Sequence, residues 1–341
     1  MSGFITINEA AQRHECGFSC DHALFVSAND ERYFITDSRY TTEARERAKN
    51  VSVIESDNLF KTAKDLLKKL KGVRVKVDPR EICYADLAFL LENLPKSRFV
   101  FARNFHQKKR AVKSADEVAK IEKSVRILAQ KYDSIAKFIA ENGIGLSEKK
   151  LHYLVCETLR NNGENDLSFE PIFAIEENAA KPHALPGDRA LKEGDTILLD
   201  CGVKYDGYCS DRTRAAIYDR GFNFDIRQKF NNAEKQKIYD VVLGAHNKAI
   251  DLIKSGMRAK EIDLIARNYI ANAGYGKYFS HSLGHGVGLE IHEEPYINKK
   301  NDMIIENNMV FTIEPGIYIP GFFGIRIENI VKIQDNRAVI I

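Results

Sequence analysis

The sequence predicts two domains: an α/β N-terminal domain over residues 1–112 and an α+β domain over residues 113–341. Three observations carry this expectation. The chain has 341 residues, more than one ordinary compact core accommodates. Its N-terminal part alternates short β-rich runs with helical stretches, whereas its remainder is built on long amphipathic segments with strands between and after them. A polar, basic passage, FHQKKRAVK at 105–113, separates the two.

In the N-terminal part the strand-like runs are ALFVS from 23, RYFIT from 32, VSVI from 51 and VRVKV from 73, with a helix expected over 59–71. Lys108, Lys109 and Arg110 are expected on a solvated linker face. Beyond them Ser114 and Glu117 stand three apart at the head of an amphipathic segment, the pattern in which hydroxyl and carboxylate each satisfy an orphan backbone N–H of a new helix. Helices are expected at about 115–142, 147–162, 232–255 and 259–273. Neither solenoid repeats nor low-complexity segments interrupt the chain.

Composition narrows the function classes. The chain carries 51 basic and 48 acidic residues, well mixed, for a net charge of +3, which excludes the footprint of a nucleic-acid binder. It is 44% hydrophobic and 29% charged, and no apolar run reaches the ~18 residues that span a bilayer. The N-terminal text lacks a secretory pattern, so a cytoplasmic location is expected. Six cysteines are too sparse for a disulfide scaffold. Cys83 and Cys156 are expected as reduced core residues. Cys16 and Cys20, flanked by His14 and His22, form a candidate metal cluster whose spacing matches no standard zinc pattern.

The chemistry concentrates in three segments. In LLDCGVKYDGYCSDRTRA an Asp206-Gly207 turn signal closes a hairpin that pairs position 200 with 213 and position 211 with 202. Asp200 and Asp211 then point to one face of the sheet, and a shift of the turn by one residue keeps them together. Two like charges on one face repel and lose hydration unless a cation lies between them. The alternative is a pair of exposed strand aspartates. In FTIEPGIYIPGFFGIRIENIV, Glu314 and Glu328 are equidistant from Gly321, so a three-residue loop sets them opposite each other with Arg326 on the same face. A glutamate among Ile325, Ile327 and Ile330 is not a solvated charge; the competing reading is a buried Arg326–Glu328 ion pair. In HSLGHGVGLEIHEEP, glycines let His281, His285 and His292 converge. His183 in KPHALPG completes the candidates. Two Asp, two Glu and one His suffice for two divalent ions about 3.5–4 Å apart. Carboxylate-dominated ligation favours Mn²⁺, with Zn²⁺ or Co²⁺ as alternatives. By strand alternation Cys201 faces away from this site, and Cys209 shares the face of Asp211 but is read as a packed residue and not a ligand.

At these residues the sequence resembles the pita-bread metallopeptidases, a family that includes methionine aminopeptidase, prolidase and aminopeptidase P. The likeness spans roughly 114–333 and rests on D-x-G at Asp200, S-D-R-T-R at Asp211, G-H-G-V-G-L at His285, E-P-G at Glu314 and R-I-E at Glu328. The resemblance implies that Asp200, Asp211, His285, Glu314 and Glu328 hold two metal ions, with Asp211 and Glu328 bridging. It implies further that His292 stabilises an oxyanion, that His183 and His281 position the scissile bond and the departing prolyl nitrogen, and that Arg326 orients Glu328. YFITDSRYTTEA at 33–44 resembles the creatinase-type domain that precedes the catalytic half in prolidases and aminopeptidase P.

Together these resemblances imply an aminopeptidase that cleaves the N-terminal Xaa-Pro bond of peptides with proline in second position, by attack of a hydroxide held between the metals, with Glu314 shuttling the proton. A homodimer is implied on the same grounds. Prolidase, the metal-free creatinase chemistry and a non-catalytic binding module are the alternatives. Ser168-Phe169-Glu170 stands where Ser-Phe-Asp is expected, and the role of Glu293 is left open.

Overall fold

Alternation along the strands builds the N-terminal sheet. The structure, a computed structural model, describes residues 2–70 and 72–341, and these fall into two compact units that divide between Arg110 and Ala111. In the first unit six strands lie in the spatial order Ser52–Glu55, Glu31–Thr36, Ala23–Ala28, Ser2–Thr6, Arg74–Val77, Phe99–Phe101, with mixed parallel and antiparallel pairing. Successive side chains go to opposite faces. Ile5, Leu24, Val26, Ile35 and Val75 join the helices Leu59–Lys69 and Tyr84–Asn93 in one core, while Phe25 and Phe34 join Cys16, Phe18 and Cys20 in another.

That second core removes the candidate Cys16/Cys20 metal cluster. Both thiols are buried among apolar side chains, and among the described residues neither belongs to a group of potential ligands. Burial raises both thiol pKa values, which disfavours the thiolate a metal needs. Cys83 and Cys156 are corrected too. Cys83 is exposed at the start of the helix Tyr84–Asn93, and Cys156 is half-buried beside the Leu151–Val155–Leu159 stripe that the helix Glu148–Arg160 turns into its core. The basic run 108–110 ends a short helix, Phe105–Arg110, in which Arg110 is buried against His106, so only part of it is solvated.

The second unit is α+β, with helix pairs laid on antiparallel sheets. The helix Ala115–Asn142 begins with the expected reciprocal cap between Ser114 and Glu117. With Glu148–Arg160 it covers the sheet Arg212–Ile217, Thr196–Cys201, Ile172–Ile175 through Leu128, Tyr132, Ile197, Leu199 and Cys201. The helices Ala233–Leu252 and Ala259–Asn272 pack on Phe311, Ile313, Ile325 and Ile327. Ile197, Leu199, Ile325 and Ile327 face helices, so Asp200, Arg326 and Glu328 face the other way by the two-residue period. No helix of the described residues is long and apolar enough to cross a membrane.

A carboxylate centre in a histidine-lined cleft

Two hairpins place the four carboxylates. In the first, Asp206 and Gly207 have φ values of 48° and 79°, the left-handed pair of a tight two-residue turn. Tyr205 opposes Tyr208, and Asp200 opposes Thr213, the register expected from the sequence. In the second, Ile319 opposes Phe323 around a Pro320-Gly321-Phe322 loop, and Thr312 opposes Ile330 farther out, a register that sets Glu314 opposite Glu328. The strand Gly284–Gly286 brings His285 alongside. A Cβ at Gly284 would lie 1.9 Å from the Thr312 carbonyl oxygen, so only glycine permits this approach.

Asp200, Asp211, His285, Glu314, Arg326 and Glu328 line one cleft of about 670 Å³, together with His183, His281 and His292. Every site residue expected from the sequence is therefore in one place. His285 donates from Nδ1 to the Gly286 carbonyl, which turns its Nε2 toward Asp211 Oδ2 at 3.6 Å and Glu314 Oε1 at 3.5 Å. Burial lowers the pKa of His285 to about 3, with His292 adding to the effect, so the ring is neutral and its lone pair faces the carboxylates.

The charges here are strongly uncompensated. Burial and then the charge of Glu328 raise the pKa values of Asp211 and Glu314 well above the carboxylate range, and burial with Asp200 raises Glu328. Asp200 Oδ1, Asp211 Oδ1 and Glu328 Oε1 are buried without a hydrogen-bond partner. An unpaired buried carboxylate oxygen costs about 1–3 kcal/mol or more, so the arrangement is stable only with protons or cations among the oxygens. Asp211, His285 and Glu328 also offer donor atoms within 4.8 Å of one another.

Arg326 departs from its expected role. Its Nη2 donates to Asp200 Oδ2 at 2.6 Å, its Nε to Thr213 Oγ1 at 3.0 Å and its Nη1 to Tyr318 OH at 2.8 Å. It makes no ion pair with Glu328; the Thr213 hydroxyl stands between them and donates to Glu328 Oε2 at 2.6 Å. Arg326 thus orients Asp200 directly and Glu328 only through Thr213. The reason is register: Asp200 is paired to Thr213, and the backbone N–H of Glu328 bonds the Thr213 carbonyl, which stacks the two hairpins and puts Arg326 beside the first one.

His281 also differs from expectation. Its Nδ1 donates to the Ser282 carbonyl at 2.7 Å, and its Nε2 accepts from Tyr318 OH at 2.8 Å. Both nitrogens are engaged within the protein, and burial lowers its pKa to about 3. In this state His281 is a neutral wall of the cleft. His292 packs edge-on against His285, with ring centroids 4.3 Å apart. Glu293, whose role the sequence leaves open, is fully buried and accepts from the equally buried Lys113 Nζ at 2.9 Å, a structural pair. Cys209 is buried in an apolar cluster with Tyr208 and Val287, and is not part of the cleft lining.

Sequence reasoning missed Tyr318, Thr213 and His152. Tyr318 shares the two-residue phase of Glu314 and Thr213 that of Asp211, so the strand period contained the signal for both. His152 enters from a helix far from either hairpin, and nothing local marks it.

Residues 119–335 match the family model described as Metallopeptidase family M24, and residues 1–112 match the Creatinase/Prolidase N-terminal domain. The uncharacterized peptidase YqhT of Bacillus subtilis is 32% identical over 337 residues, 98% of this chain and 92% of that relative. Among solved structures, an Xaa-Pro dipeptidase from Bacillus anthracis matches with a TM-score of 0.89 at 29% identity, over 99% of this chain and 92% of that one. An X-Pro aminopeptidase from Thermotoga maritima matches with a TM-score of 0.85 at 29% identity, over 100% and 95%.

Proposed function

Because the chain belongs to Metallopeptidase family M24, we propose that its cleft hydrolyses the peptide bond preceding a proline in second position, releasing the N-terminal residue of the peptide. The similarity to an Xaa-Pro dipeptidase and an X-Pro aminopeptidase supports the proline preference. The observation that carries the reading is the set of buried carboxylate oxygens without hydrogen-bond partners that shares this cleft with a neutral imidazole.

These residues fit a pair of divalent cations. Asp200, Asp211, His285, Glu314 and Glu328 would hold them, with the unpaired oxygens and the His285 Nε2 lone pair as donors. The oxygen-rich donor set favours manganese. Two ions held there supply Lewis-acid polarisation of the scissile carbonyl and a nucleophilic water at neutral pH.

The protein's own groups do the rest. Arg326 fixes Asp200, and Thr213 fixes Glu328 by donating to one oxygen, leaving the other free as a donor. Glu314, in this reading, takes a proton from the attacking water and returns it to the departing prolyl nitrogen. His292, packed edge-on against His285, donates to the oxyanion that forms on the carbonyl. His183, Phe169 and His281, whose ring Tyr318 holds from behind the lining, shape the space beside the bond. The leaving amide is tertiary and has no N–H, so selection rests on this fitted apolar space and on protonation as the bond breaks.

The test is to incubate metal-stripped protein, with and without Mn²⁺, with an Xaa-Pro-Yaa tripeptide and an Xaa-Pro dipeptide, and to identify products by mass. Metal-dependent release of Xaa and Pro-Yaa is expected. Cleavage of the dipeptide alone would make the protein a prolidase, the second reading that its similarity to the Bacillus anthracis enzyme favours. Cleavage of neither would end the proline reading.

A further inference from the structure

A second set of donor atoms lies at the cleft wall, distinct from the carboxylate centre. His152 and Cys156 stand four apart on the helix Glu148–Arg160, and Glu170 reaches them from the loop after the strand Asp166–Leu167. His152 Nε2 is 3.8 Å from Cys156 Sγ and 3.3 Å from Glu170 Oε1, and Cys156 Sγ is 3.8 Å from the same Glu170 oxygen. The Pro171 carbonyl oxygen lies 3.0 Å from the same ring nitrogen. A tetrahedral zinc ion, with bonds of about 2.3 Å to sulfur and about 2.0–2.1 Å to nitrogen and oxygen, has donor–donor edges of roughly 3.3–3.6 Å. The triangle of His152, Cys156 and Glu170 already has nearly those dimensions.

We propose that His152, Cys156 and Glu170 form a separate binding site for a thiophilic divalent cation of the zinc class, and that occupation of this site obstructs the cleft entrance. In the metal-free protein the Nε2 proton of His152 is surrounded by three acceptors, the Pro171 carbonyl, the Glu170 carboxylate and the Cys156 sulfur. The cation takes the place of that proton. The ring proton moves to Nδ1, the thiol releases its proton to solvent, and Nε2, Sγ and a Glu170 oxygen become the ligands, with the Pro171 carbonyl or water as the fourth.

Donor chemistry separates the two sites. Thiolate and imidazole select a borderline-soft ion, whereas the four-carboxylate centre suits a harder one. Burial, with the charge of Glu170 adding to it, pushes the Cys156 thiol up to about 11, so the cation must displace a tightly held proton. His152, Glu170 and Pro171 line the same cleft as Asp200 and Glu314, which places the bound ion on the substrate's path. Glutamate at 170, in place of the expected aspartate, supplies the extra methylene that brings the carboxylate to the imidazole. The obstruction rests on the peptidase reading; the binding of the cation does not.

The experiment fills the carboxylate centre with Mn²⁺ and then titrates Co²⁺, whose near-ultraviolet thiolate charge-transfer band reports a sulfur ligand. One equivalent of band is expected in the wild type and none in Cys156→Ser, with binding weakened about tenfold or more in Glu170→Asp. In parallel, Zn²⁺ should inhibit peptide hydrolysis by the wild type, and Cys156→Ser, with unchanged basal activity, should need about tenfold more. No band in the wild type, or a band that survives Cys156→Ser, overturns the site. A Cys156-dependent band with hydrolysis unaffected by zinc overturns the obstruction. A Cys156-dependent band in a protein that hydrolyses no peptide upholds the site and overturns the peptidase reading alone.

Discussion

Each unit of this protein buries carboxylate, and the two do so in opposite ways. In the first unit, Glu15 is desolvated, yet hydrogen bonds from His106, His14 and Lys109 outweigh burial and hold its carboxyl far below the usual range. His106 Nε2 donates to Glu15 Oε1 at 2.9 Å, and Arg110 donates to His106 Nδ1 at 2.9 Å, so both ring nitrogens are satisfied within the protein. In the second unit, burial and mutual repulsion push Asp211, Glu314 and Glu328 upward, and three oxygens of Asp200, Asp211 and Glu328 have no partner. A buried carboxylate that carries its own cations is architecture. One that lacks them is waiting for a ligand.

The largest expected effect lies in activity. Glu314→Gln should lower kcat on the order of 10³-fold, since it removes both the proton carrier and a donor to the metals. In the metal-free protein the same change removes a carboxyl that folding must protonate, so the melting temperature at neutral pH should rise. A variant that stays within tenfold of wild-type activity would remove Glu314 from the proton path.

Next comes the converse change. Glu15→Gln removes the charged acceptor of the buried His106 and the counter-charge of Lys109 and should cost about 3 kcal/mol of unfolding free energy. Chemical denaturation with a cost below about 1 kcal/mol would show that the Glu15 network contributes little. Mn²⁺ at a hundredfold its dissociation constant should stabilise the wild type by about 2.7 kcal/mol, and Asp211→Asn should abolish most of this gain.

The pH dependence has opposite signs in the two units. The raised carboxyls keep their protons in the folded, metal-free protein where the unfolded chain has lost them, so their contribution is present at low pH and is lost as pH rises from about 4 through their raised values. Glu15 contributes above the ordinary carboxylate range and loses its contribution as pH falls. The metal-free melting temperature should therefore decline from about pH 5 toward pH 8 less steeply in Glu314→Gln than in the wild type. Equal slopes would mean that repulsion at the centre does not govern stability. The smallest effect belongs to Thr213→Val, which should cost about 1 kcal/mol and weaken metal binding roughly tenfold, read by competition with a chelator.

Strand phase and turn chemistry account for what was legible in advance. Asp206-Gly207 and Pro320-Gly321-Phe322 each centre a hairpin at a definable point, and a period of two then decides which side chains share a face. Asp200 with Asp211, and Glu314 with Glu328, follow from that alone. The Ser114–Glu117 cap and the helix over 115–142 were equally local. The role of Cys16 and Cys20 was not legible, because proximity in sequence says nothing of which core a side chain enters; here they fill an apolar core against the N-terminal sheet.

The sequence by itself therefore determined the two-part architecture, the helices, the hairpin registers and the pairing of the four carboxylates, because all of these depend on contacts between residues near in the chain or mirrored about a turn, whereas His183 was singled out only through the family resemblance. Only the tertiary structure decided that Arg326 serves Asp200 and reaches Glu328 through Thr213, that Tyr318 closes the His281 ring, and that His152 and Cys156 meet Glu170 at the cleft. Those pairings depend on how a sheet face meets another sheet or a helix, and a side chain takes whichever partner that packing brings within hydrogen-bond reach.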